Sequence, residues 1–156
     1  MTHFHTFDVA NGIGPWGIGL ATYDGLNKSF VAAILLTANM ERAECAVLRS
    51  ISLLDESVSY GSLLRGTIKA SLAGSIGIKE QGREELAEAC SILPLELQHV
   101  LRLSKDLRHC FVLRILLGLS RGACASLLGL DVQGIDERTC ASILQLTVAQ
   151  DKRPAN

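Results

Sequence analysis

The chain has 156 residues, 48% of them hydrophobic and 4% aromatic, and its 15 Lys and Arg against 16 Asp and Glu give a formal charge of −1. Such a composition is too apolar for a disordered chain and fits one compact domain, or two very small ones sharing a core. The near-neutral charge does not advertise a polyanion partner. The longest uncharged apolar run, Phe30 to Leu36, is far short of the ~18 to 20 residues of a membrane span, so no membrane association is expected.

Residues 1–27 hold Gly12, Gly14, Gly17, Gly19 and Gly25 around Pro15 and Trp16, a glycine density that costs too much entropy for helix and predicts irregular chain. Gly12-Ile13-Gly14 lacks both a preceding strand and a following Gly-Lys-Ser/Thr, so it reads as a packing loop anchored by Trp16 rather than a phosphate cradle. No Lys or Arg precedes Lys28, which leaves no basic start for a secretory signal and makes the cytoplasm the expected compartment.

Helical spacing begins at Lys28. Phe30, Ala33, Ile34 and Thr37 form one face of a short helix ending near Ala38, and Asn39 suits the N-cap of the next. That second helix places Ala43, Val47, Ile51 and Leu54 on its apolar face, with Glu41 in the first turn, where the helix dipole favours an acid. Ser59 to Ala73 carries Leu64, Ile68 and Leu72 and stops at Gly74, with Gly66 weakening its interior by about 1 kcal/mol.

Three glycines and several charges between Gly74 and Arg83 mark a connection, followed by a short acidic helix, Glu84 to Cys90. Pro94 opens a helix bearing Leu97, Val100, Leu101 and Ser104. Leu107 to Leu117, apolar nearly all round, belongs at the centre of the C-terminal core. Leu119 to Leu128, a turn at Gly129-Leu130-Asp131, and Val132 to Val148 complete the pattern. With no convincing period of two anywhere, the expected architecture is all-α. It divides into an irregular segment 1–27, a helical part 28–74, a linker with short helix 75–92, a second helical part 93–149 and a tail 150–156.

Chemistry-bearing clusters are sparse. The cysteines Cys45, Cys90, Cys110, Cys124 and Cys140 are odd in number and widely spaced, four of them within apolar helical patterns, so reduced core thiols are expected. No Cys-x-x-Cys occurs, and His3 and His5 have no further ligand nearby, so neither a metal nor a cofactor is expected. No Ser/His/Asp, Cys/His or paired-carboxylate arrangement stands out. Asp136 with Glu137, and Glu84 with Glu85, are sequence neighbours that point to different sides of a helix, so an enzyme is not expected.

Residues 118–144 have the spacing of a helix-turn-helix. Ala125 is small enough for a close crossing, Gly129 can take the left-handed turn conformation, and Leu128, Leu130 and Ile135 are spaced to plug the angle between the helices. With Leu93-Pro94-Leu95 and the run Phe111 to Ser120 before it, this stretch resembles region 4 of extracytoplasmic-function sigma factors of the sigma-70 family. Thr37-Ala38-Asn39-Met40-Glu41-Arg42-Ala43-Glu44 is similar to the start of their region 2, which binds core RNA polymerase. Together the two stretches span about residues 30–73 and 93–146.

The departures bear on function. A helix entering the major groove needs basic or amide side chains at its exposed N-terminal positions. Between Gly129 and Leu146 the only cation is Arg138, against Asp131, Asp136 and Glu137, and this balance repels a phosphate backbone. The surviving candidates for nucleic-acid contact are Gln133, Arg138 and Arg121, with Arg102, Lys105, Arg108 and Arg114 adding positive charge to the preceding helices. In the region-2-like part the aromatic and basic residues for melted bases are reduced to Tyr60, Arg65 and Lys69. The resemblance thus implies a sigma-factor-like transcription regulatory protein with an eroded DNA-binding surface, its partner RNA polymerase or another transcription protein. The alternative is a helical protein-interaction module of the same fold that binds no DNA.

Overall fold

A computed structural model describes residues 20–54, 60–74 and 83–152, and these are all-α. In chain order the helices are α1 (Leu20–Thr37), α2 (Met40–Ser52), α3 (Tyr60–Ala73), α4 (Arg83–Ser91), α5 (Leu95–Leu101), α6 (Lys105–Phe111), α7 (Arg121–Leu128) and α8 (Val132–Asp151). A π-helical turn, Val112–Leu116, continues α6. Residues 1–19 and 75–82, with most of the glycine-rich segment and the connection, lie outside the described residues.

The first correction falls on α1, which begins at Leu20, inside the stretch expected to be irregular, and carries Gly25 buried in its body. Burial outweighs the entropic cost of that glycine, because α1 is the central helix of the fold. Ala32, Ala33, Ile34, Leu35 and Leu36 are all buried, and α1 packs against α2 and α3 on one side and α5 and α6 on the other.

Between α1 and α2, Ala38 takes a left-handed conformation (φ 51°) while Asn39 Oδ1 accepts the Arg42 N–H at 2.9 Å and caps α2. The buried face of α2 is Ala43, Ala46, Val47 and Ser50, rotated from the expected one, and Ile51 is exposed. Small side chains explain the rotation: a Cβ on Gly66 of α3 would sit 3.3 Å from Ser50 Oγ, so α2 and α3 approach closely there.

In the C-terminal part, α6 and α7 both pack on α8. Val100 and Leu101 of α5, Cys110 of α6, and Val112 and Leu113 of the π turn are buried, whereas Ile115 and Leu116 at its end are exposed, contrary to the expectation for the whole of 107–117. Pro94 precedes α5 as its N-cap residue, and Arg102 to Ser104 break the chain before α6 starts. The cysteines also divide differently from expectation: Cys110 and Cys124 are buried, Cys90 is half-buried, and Cys45 and Cys140 are exposed free thiols.

The two parts share one core. Its most specific link is His109 of α6, whose Nε2–H donates to the Leu36 carbonyl of α1 at 2.9 Å. Burial holds the His109 pKa down to about 4, with the nearby charges of Arg108 and Lys105 adding to the effect, so the ring is neutral at pH 7. No helix among the described residues is long and apolar enough to cross a membrane.

Candidate nucleic-acid interface

Local signals build the α7–α8 pair. Ser120 Oγ accepts the Ala123 N–H at 3.1 Å and starts α7. Gly129 (φ 65°) ends it in the left-handed region, with the Leu130 N–H returning to the Ala125 carbonyl at 3.1 Å, the long bond of a Schellman cap. Asp131 Oδ1 then accepts the Gly134 N–H at 2.9 Å and starts α8. Ile135 is fully buried, while Ala125, Leu128 and Leu130 are half-buried and packed on the core.

The outward face of α8 lies opposite buried Ile135, Thr139 and Ser142 and consists of Gln133, Glu137, Cys140, Ala141, Leu144 and Val148. Its first turns are polar but occupied: Gln133 Nε2 donates to Glu137 Oε1 at 3.0 Å. Arg121, projecting from α7, forms an ion pair with Asp136 at 2.8 Å. Arg138 is half-buried, donates to the Gly134 carbonyl at 3.2 Å and points away from the outward face. Its guanidinium borders a cavity of about 460 Å³ between α3 and α6 to α8, shared with Lys69, Lys105, Asp106 and His109.

Thus Arg121 and the start of α8 are brought together, but through an acid that neutralises the cation, and Arg138 belongs to another side of the molecule. Of the remaining basic residues, Arg108 and Arg114 are half-buried and donate to the carbonyls of Leu103 (3.3 Å) and Leu119 (2.6 Å). Burial lowers the Arg108 pKa to about 10, well above neutrality, so its charge persists. Arg102 and Lys105 are exposed.

Sequence reasoning passed over three features. One is His109, whose partner lies on a distant helix and leaves no local signal. Another is the apolar later half of the outward face of α8, where Leu144 is 67% and Val148 52% exposed. The third is a group on and after α2: Leu48, Ile51 and Leu53 are exposed, and the first two help line a groove of about 450 Å³ with Leu26, Phe30 and Val47. A helix with hydrophobic residues on more than one side was the available signal for the last two.

No family model matches the chain, and no curated protein matches it. Among solved structures it is similar to the sigma factor RpoE from Bartonella quintana, in a co-crystal with the anti-sigma factor NepR. The TM-score is 0.52 at 16% identity, over 85% of this chain and 95% of that one. The fold is that of a sigma factor. The stretch whose sequence resembles region 4, about residues 93–146, holds α5 to α8, and the stretch with the weaker likeness to region 2, about residues 30–73, holds the later part of α1 with α2 and α3.

Proposed function

We propose that this chain is a sigma-fold transcription protein that works through protein contacts and does not read DNA with α8. One observation carries this reading: where a groove-facing helix needs free cations or amides, α8 offers Asp131, a Gln133 bonded to Glu137, and an Asp136 that neutralises Arg121. Phosphate contacts supply most of the affinity of such a helix, and each needs a cation free to release counterions.

Where DNA contacts are few, protein contacts take their place. Leu48 and Ile51 of α2, with Leu53 beyond its end, expose apolar surface in the part of the chain that resembles the polymerase-binding region. Apolar side chains gathered beside a groove are the usual anchor of a protein interface. A solved structure of similar fold is a sigma factor in complex with an anti-sigma factor, so such a fold can be engaged by a protein partner. RNA polymerase, or a regulator that competes with it, is the partner this surface fits.

The test has two arms. In fluorescence anisotropy, a labelled mixed-sequence duplex should not bind at ~50 or ~200 mM salt, where phosphate contacts would give a steep salt dependence. Purified core RNA polymerase should be retained by the immobilised protein, and Leu48→Glu with Ile51→Glu should abolish retention. Salt-sensitive duplex binding weakened by Arg138→Ala would overturn the first arm and restore a DNA-reading protein.

A further inference from the structure

The outward face of α8 has a pattern that is its own complement. Glu137, Ala141, Leu144, Val148 and Lys152 lie along one stripe, spaced four, three, four and four residues apart, and all five are exposed. Steps of three and four keep side chains on one side of a helix, and this stripe runs about 22 Å at 1.5 Å per residue. Its middle is apolar, one end is acidic and the other basic. Ile143 and Cys140 extend the apolar surface along one edge.

We propose that α8 pairs antiparallel with α8 of a second copy of this chain. Turning the stripe end for end places Ala141 opposite Val148 of the second copy, with the two Leu144 side chains meeting at the centre. The same turn brings Glu137 of each copy beside Lys152 of the other. Both junctions at the rim therefore join opposite charges, and a two-fold axis through the middle of the helix generates the whole contact from one patch. A parallel arrangement would instead stack Glu137 on Glu137 and Lys152 on Lys152, so the charges select the direction.

Burying Leu144 and Val148 supplies the drive, since both hold large apolar area in water in the single chain. The seam is short beside the roughly 1,600 Å² of a standard interface, so association is a concentration-dependent equilibrium and not a permanent dimer. It also covers Glu137, one of the positions a helix-turn-helix presents to the groove. Pairing through α8 is independent of the partner surface on α2, and the two can fail separately.

Sedimentation equilibrium of the full chain at ~0.1 M salt tests this, with loading raised from ~5 to ~500 µM so that mass action is visible. The average mass should climb towards twice the 16.8 kDa of the chain. Leu144→Glu should hold it at the monomer value. Glu137→Lys and Lys152→Glu alone should each weaken association about three- to tenfold, because each places like charges at two junctions of the dimer. Combined, the two reversals should restore it. Helical circular dichroism separates these effects from unfolding, since all three positions are exposed. A constant monomer mass across the range, association untouched by Leu144→Glu, or no rescue by the double reversal would each overturn the pairing.

Discussion

On its inner side the α7–α8 pair has a fully buried Ile135, a left-handed Gly129, and caps from Ser120 and Asp131. On its outer side the same pair has an ion pair between Arg121 and Asp136, a Gln133 turned onto Glu137, and then Leu144 and Val148 in water. The inner side has what a helix-turn-helix needs to fold, and on the outer side the cation of α7 and the amide of α8 are each paired with an acid. Folding and phosphate contact fall on different residues, so the fold can persist while the surface is rewritten. A helix-turn-helix identified by packing residues alone therefore says nothing about whether DNA is bound.

Mutations on the two sides should separate by size. The largest effect belongs to the interior: Ile135→Ala or Leu113→Ala should cost about 2–5 kcal/mol in urea unfolding, since both side chains are fully buried and leave a cavity. A loss below ~1 kcal/mol would mean that the pair is packed less closely than its burial indicates.

Next in size is pH. His109 has its pKa held near 4 in the folded chain by burial, against about 6.5 unfolded, so between those values the unfolded state binds more protons. The stability this neutral ring contributes is complete above about pH 6.5 and is lost as pH falls towards 4, amounting to about 2 kcal/mol between pH 7.5 and pH 5.0. Urea midpoints at the two pH values should register the loss. In His109→Gln the dependence should flatten, whatever the variant's absolute stability.

Smaller effects come from the joint between the two sides. Gly129→Ala forces a Cβ into the left-handed region, and Asp131→Ala removes the α8 cap; each should lower stability by about 1 kcal/mol. The smallest belong to the outer side. Arg121→Ala and Gln133→Ala should change stability by less than ~0.5 kcal/mol, as exposed polar contacts do, and should leave duplex anisotropy unchanged. A clear fall in duplex binding with Arg121→Ala would break the contrast between the two sides.

Much of the helix order was legible because it is written in short-range chemistry. Asn39 caps by reaching three residues along the chain, and Gly129 marks a turn that only a left-handed residue completes, whereas the caps at Ser120 and Asp131 came from the structure. Illegible were the features decided by neighbours distant in sequence. The early start of α1 depends on helices packed around it, which outweigh Gly25. The α2 face turns towards Ser50 because Gly66 lets α3 come close, and a reading that seeks large apolar residues selects Ile51 instead. Of the interface candidates, the lack of cations on α8 was plain from composition. That Arg121 meets Asp136 across the turn, and that Arg138 faces Lys69 and Lys105, depends on how three helices cross.

The hydrogen bond from His109 to Leu36 also bears on motion. The Leu36 carbonyl lies in the last turn of α1, where a helix has no backbone donor of its own to satisfy it. With the donor supplied by α6, fraying of that turn requires α6 to move as well, so the end of α1 cannot open by itself. Amide protons in the last turn of α1 and in α6 should therefore exchange with solvent at matched, slow rates, as parts of a single opening unit that spans both halves of the chain.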